Sequence, residues 1–167
     1  EALRDRPVAY VEYCRSIGAG GIQSGIATDL PAVRKRLDDL GMYYEGNAAL
    51  PRTLDESTDG FERSLTNAKA LGATLVRTVS RAPQGSSGRR YEGFTSRGQY
   101  EEWLKLSNAI VEKCLPIAER HGIALALENH KDRTVDEHVA FLQRISSEYL
   151  GSLIDPGNNM SFMEQPE

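Results

Sequence analysis

Ile123–Leu127 is an unbroken apolar run that stops at Glu128, Asn129 and His130. A second apolar run, Leu153-Ile154, stops at Asp155-Pro-Gly-Asn158. A carboxylate that ends an apolar strand must be paired, hydrated or bound to a cation, because burying it bare is costly. Two such carboxylates on adjacent parallel strands would stand about 5 Å apart at the backbone. With nothing between them they repel, and one has to take up a proton. A divalent cation relieves this directly, and oxygen and imidazole donors suit Mn, Mg, Co or Zn. The plain alternative for Glu128 is a salt bridge to Arg77 or a lysine. His130 follows Glu128 by two residues, so it shares a strand face with it and is a candidate ligand, base or substrate contact, or a loop residue that only hydrogen-bonds. Arg77 is read at the carboxyl end of the strand-like stretch 74–80, and Glu45 lies in Met42–Asn47. Arg77 can bind substrate or pair with Glu45 or Glu128. His121, at a helix end, is expected to cap it, and His138, within a helix, to be solvated.

These residues need elements to hold them. Apolar residues at helical spacing predict helices over 2–17, 29–41, 58–72, 97–122 and 134–149, with Thr134 and Glu137 spaced as a capping box. Between them, 20–27, 42–47, 74–80, 123–130 and 150–158 read as strands. Strict alternation implies βαβ units and a parallel sheet. No Gly-x-Gly-x-x-Gly turn and no Walker-type loop follows any strand, which weakens nucleotide-binding versions of the fold. What remains is an open doubly wound sheet or part of a (β/α)8 barrel. In either, the active site lies beyond the carboxyl ends of the strands, where Glu45, Arg77, Glu128, His130, Asp155 and Asn158 fall.

Composition narrows the classes further. The 167 residues are 40% apolar and 26% charged, with a net charge of −4. A mildly acidic chain without a basic block argues against a nucleic-acid partner, and no apolar run approaches the roughly 20 residues of a membrane span. Cys14 and Cys114 sit among helical apolar residues and read as buried free thiols, which suits a reducing, cytoplasmic setting. The segment 81–97 holds four arginines against Glu92 and is expected as a solvated loop or a lid over the active face. Asn159-Met-Ser161 fits a glycosylation sequon by chance.

His121–Glu137 followed by Leu150–Asn158 resembles the sugar phosphate isomerase/epimerase family, the xylose isomerase-like barrels. These include hydroxypyruvate isomerases, ketose 3-epimerases, inosose dehydratases and endonuclease IV. The shared pattern is a Gly, a strand ending in Glu-Asn-His, a helix, and a strand ending in Asp-x-Gly-Asn. The resemblance implies an α/β fold, a partial (β/α)8 TIM barrel with about five βα units. It implies that Glu128 and Asp155 are metal ligands, that Glu128 is also an acid/base, that Asn158 contacts substrate, and that His130 is a base in lyase-type relatives. Such proteins complete the metal site with a His and a Glu from two later strands. This chain stops at Glu167, and Glu164, expected beyond the strand end in a helix, is no substitute. The chain is therefore expected to be one domain over 1–167, the central part of a barrel of about 250 residues without its first and last strands. Its open edges need other chains or a longer polypeptide to close them, and a homo-oligomer is compatible with that. The expected function is a divalent-metal-dependent sugar isomerase or epimerase acting through an enediolate on a small ketose or polyol ketone. Two alternatives are a keto-sugar lyase or dehydratase with His130 as base, and a non-catalytic barrel-fold binding protein. An endonuclease would need more His ligands and a basic face.

Overall fold

A computed structural model gives the fold and describes residues 5–81 and 90–164. The five expected strands form, shorter at their ends than the sequence suggests: β1 Gly21–Ser24, β2 Tyr43–Asn47, β3 Leu75–Thr78, β4 Ala124–Glu128 and β5 Leu150–Leu153. They make one parallel sheet in the order β1-β2-β3-β4-β5. Every crossover moves one strand in the same direction. A doubly wound sheet would have to reverse its order, and this one does not. The sheet is thus an arc of a barrel wall, a partial (β/α)8 barrel.

The helices that follow the strands are α2 (Leu30–Asp39), α3 (Asp59–Ala70), α5 (Arg97–His121) and α6 (Val135–Ile145), with α1 (Pro7–Ser16) before β1. Short helices α4 (Arg90–Gly93) and α7 (Pro156–Asn159) and a 3-10 turn, Met160–Phe162, complete the described chain. Helix α5 runs through Pro116 unbroken and stops at Gly122, whose φ of +64° is cheap only for glycine. The capping box of Thr134 and Glu137 opens α6. Asp29 stands at the N-cap of α2, but in a left-handed conformation and without a side-chain cap bond.

Side chains alternate across each strand. Ile22, Tyr44, Val76, Leu125, Leu127 and Leu150 are buried and belong to one core with Phe61 and Leu65 of α3 and Val111 and Cys114 of α5. This convex face lies under the helices. Gly46 belongs to it, and a Cβ there would come within 2.6 Å of Ala68 Cβ and 2.7 Å of Val76 Cγ1, so α3 can approach β2 only over a glycine. The opposite, concave face carries Gln23, Glu45, Asn47, Arg77, Ala126 and Glu128. Cys14 and Cys114 are both buried and free, as expected. Burial pushes the Cys114 thiol up to about 11, which keeps it protonated and inert.

Candidate active site

Strand β4 delivers its three polar residues to three different tasks. Glu128 is 5% exposed. Its Oε2 accepts a hydrogen bond from Arg77 Nε, and its Oε1 accepts from Asn158 Nδ2 at 3.3 Å. Register explains the first contact: Arg77 pairs with Ala126, one step below Glu128 on the same face. Asn129 is a clamp between strand exits. Its Nδ2 donates to the Asp155 carbonyl at 2.9 Å, and its Oδ1 accepts the Asp155 N–H at 2.7 Å. This amide holds the end of β5 beside the end of β4, past the last backbone pair. His130 is exposed, and its backbone N–H donates to Asp132 Oδ1 at 2.9 Å.

Asp155 is half-buried at the N-cap of α7, where its Oδ1 accepts from Gly157 N at 2.9 Å and Asn158 N at 3.3 Å. That turn is what brings Asn158 back onto Glu128. Glu45 lies lower on the concave face, opposite Gln23, whose Nε2 donates to Glu45 Oε2 at 3.0 Å. The structure therefore joins Arg77, Glu128 and Asn158, sets Asp155 beside them through Asn158, and leaves Glu45 and His130 outside that hydrogen-bonded group.

The donor set decides whether these residues suit a metal. Glu128 and Asp155 offer hard carboxylate oxygens at neighbouring strand ends, and such donors suit a divalent cation. They supply about half of the usual four or more ligands. No three His, Cys, Asp or Glu residues cluster to hold a metal among the described residues. A cation at Glu128 would share that carboxylate with Arg77.

Several expectations change. His138 is not solvated. It is 4% exposed, and its Nε2 lies 3.0 Å from Ser152 Oγ, across α6 and β5. The sequence hides this because α6 packs β5 through that face. His121 does not cap α5; Gly122 does, while His121 Nε2 lies 3.1 Å from Glu62 Oε1. Glu164 follows the 3-10 turn rather than lying in a helix, and accepts from Val135 N at 3.1 Å. Asn159 is buried and bonded to Asn129 and Glu164, which speaks against the sequon in the folded chain. Of the arginine-rich loop, 82–89 lie outside the described residues. Arg90 is engaged, with Nη1 donating to Glu137 Oε2 at 2.5 Å and its guanidinium 4.2 Å from the Tyr100 ring centroid. Burial alone would raise the Glu137 carboxyl, but the Thr134 N–H, Tyr100 hydroxyl and Arg90 hold it below its ordinary value.

The residue that sequence reading missed is Arg133. It is 0% exposed. Its Nε donates to Asp132 Oδ2 at 3.2 Å, Nη1 to Asn108 Oδ1 at 3.0 Å, and Nη2 to Ser80 Oγ at 2.6 Å and Ser107 Oγ at 3.2 Å. Asp132, 2% exposed, spends its other oxygen on the His130 N–H. This pair ties the exit of β3 to α5 and to the turn after β4. In sequence, nothing local marks Lys131-Asp-Arg133 as buried.

His138 gives the fold a pH dependence. Burial lowers its pKa below the ordinary 6.5, with Arg133 adding to the shift and Asp132 opposing it. Its Nδ1 is buried without a partner among the described residues, so an added proton gains no acceptor there. The unfolded chain then binds a proton first as pH falls through about 6.5, and native stability falls with it. Urea midpoints at pH 7.5 and 5.5 should drop more for the native protein than for His138→Gln. Equal drops would exclude His138 as the cause.

Comparison with known proteins gives the family. The model of the xylose isomerase-like TIM barrels matches residues 11–167, and the chain belongs to that family. A 3-oxo-isoapionate decarboxylase from Pectobacterium atrosepticum is 30% identical over 167 residues, spanning 95% of this chain and 53% of that protein. The chain thus spans about half the length of the curated relative it matches. The 3-keto-D-glucoside 4-epimerase of E. coli shares the fold with a TM-score of 0.73 at 13% identity, over 96% of this chain and 66% of that one. A D-psicose 3-epimerase, solved in the presence of D-fructose, does so with a TM-score of 0.67 at 17% identity, over 96% and 61%. No helix among the described residues is long and apolar enough to cross a membrane.

Proposed function

We propose that this chain is the central part of a divalent-metal-dependent sugar isomerase or epimerase that works through an enediolate on a small ketose or polyol ketone. The observation that carries the reading is the convergence of Glu128, Asn158 and the capped Asp155 at two neighbouring strand exits. Glu128 and Asp155 would hold a divalent cation, which would supply Lewis-acid chemistry for forming the enediolate. Glu128 takes the proton from the carbon next to the carbonyl and returns it. Asn158, held against Glu128, is placed to orient a substrate hydroxyl. Sugar epimerases with the same fold support the substrate class.

The test uses the full-length protein with a ketohexose in D2O. Deuterium should enter at the carbon beside the carbonyl, stop after dialysis against a chelator, and resume with Mn2+. Full exchange by the chelated protein would sink the metal requirement.

A second reading keeps the enolate but ends in bond cleavage, with His130 as the base. It is supported by the exposed His130 ring, which has no hydrogen-bond partner among the described residues, and by the name of the Pectobacterium relative, a decarboxylase. His130→Ala separates the two: cleavage should be almost lost, epimerisation much less affected.

A further inference from the structure

We infer that Asn129 is a positioning residue for the proposed metal site: its side-chain amide sets the place of the Asp155 carboxylate relative to Glu128, and so sets the affinity for a divalent cation without touching it. The inference rests on the function proposed above for Glu128 and Asp155 as ligands, and goes beyond it by naming the residue that holds the two together. Backbone pairing between β4 and β5 ends at Glu128 and Leu153. The next backbone bond, from the Asn129 N–H to the Leu153 carbonyl, is already long at 3.4 Å. Asp155 lies two residues further on, and there the side chain of Asn129 takes over from the ladder. An amide side chain carries the donor and the acceptor of a peptide group. Asn129 uses both on one residue: Nδ2 donates to the Asp155 carbonyl at 2.9 Å, and Oδ1 accepts the Asp155 N–H at 2.7 Å. Nδ2 also donates to Asn159 Oδ1 at 2.6 Å, and Asn129 is buried, so the amide plane is fixed from a second side.

Asp155 passes this placement on to its carboxylate. Its backbone is extended, with φ −106° and ψ 102°, the conformation favoured before a proline such as Pro156. Its Oδ1 accepts from the N–H groups of Gly157 and Asn158, which ties the carboxylate to its own turn and leaves Oδ2 as the oxygen for a cation. Glu128 is fixed separately, by Arg77 and by Asn158 Nδ2. Each carboxylate is thus held within its own strand exit, and the separation of the two exits is what the Asn129 amide maintains. These contacts run between two adjacent strands of the arc and owe nothing to what closes the barrel. Groups that orient a metal ligand from behind change metal affinity by about 10–100-fold when they are removed.

Mn2+ binding to the full-length protein is followed through the paramagnetic resonance signal of the free ion, which needs neither substrate nor turnover. Asn129→Ala removes the amide. Asn129→Gln keeps it but, one methylene longer, cannot keep both bonds to Asp155. Each should bind Mn2+ about 10–100-fold more weakly than the native protein. Val111→Ala, in the core under the helices, is the control for lost stability and should bind Mn2+ as the native protein does. Native affinity in both Asn129 variants would overturn the inference, and so would an equal loss in Val111→Ala. If Asn129→Ala does not fold, Asn129→Gln against Val111→Ala decides the question. Asp155→Asn separates this inference from the reading beneath it. Weaker binding in Asp155→Asn with native affinity in the Asn129 variants would leave the metal reading standing and remove Asn129 from it. No Mn2+ binding by the native protein, or native affinity in Asp155→Asn, would remove the metal reading and this inference with it.

Discussion

Replacing Arg133 by methionine is expected to destabilise the protein by about 3–5 kcal/mol, the cost of leaving one member of a buried ion pair without the other. Arg133 is wholly buried and Asp132 nearly so, and neither can turn to water when its partner is gone. Methionine fills much of the same volume, so the loss reports charge and hydrogen bonds rather than a cavity. Against a total stability of about 5–15 kcal/mol this is a large share. Asp132→Asn in the same chain should recover part of the loss, because the amide keeps an acceptor for the His130 N–H and removes the uncompensated anion. Urea midpoints for the two single variants and the double variant give the coupling between them. Single variants within about 1 kcal/mol of the native protein would mean that the pair is not a fastening of the strand exits.

The second large effect is expected at Glu128. In the proposed reading Glu128→Gln lowers proton exchange at saturating substrate by about 10²–10⁴-fold, the span of a lost general acid–base group. Glutamine preserves shape, and its amide oxygen still accepts one hydrogen bond. It cannot take a proton, and it leaves Arg77 without its anion. Single-turnover exchange in D2O with the full-length variant measures the step itself, and a thermal melt shows that the fold is intact. Exchange at the native rate would take Glu128 out of the chemistry and leave it as the partner of Arg77.

Much of the fold could be read from the sequence. The alternation of helices and strands, the five strands, the capping box at Thr134 and the buried thiols depend on local periodicity and on the chemistry of single turns. The pair of strand ends, Glu-Asn-His and Asp-Pro-Gly-Asn, was legible for the same reason, since an apolar run that stops at a carboxylate is a local statement. Alternation alone left a doubly wound sheet and a barrel arc both open, because the choice is a matter of which strand lies beside which; the resemblance carried by the two strand-end motifs implied the barrel, and the strand order agrees.

The division of labour among the site residues was also beyond the sequence. Arg77 had three outcomes open to it, and the β3–β4 register selects Glu128. Asn129 looked like a companion of Glu128, yet its amide fastens the next strand. His138 carried the wrong expectation and Arg133 carried none, because solvent exposure is set by the element packed over a residue. A charged run in a loop looks the same whether water or three other segments surround it. By itself, then, the sequence determined which residues stand at the carboxyl ends of the strands, since that depends on neighbours in the chain. Only the tertiary structure decided which of them meet and which are sealed, since burial and pairing depend on residues 25 to 53 positions away.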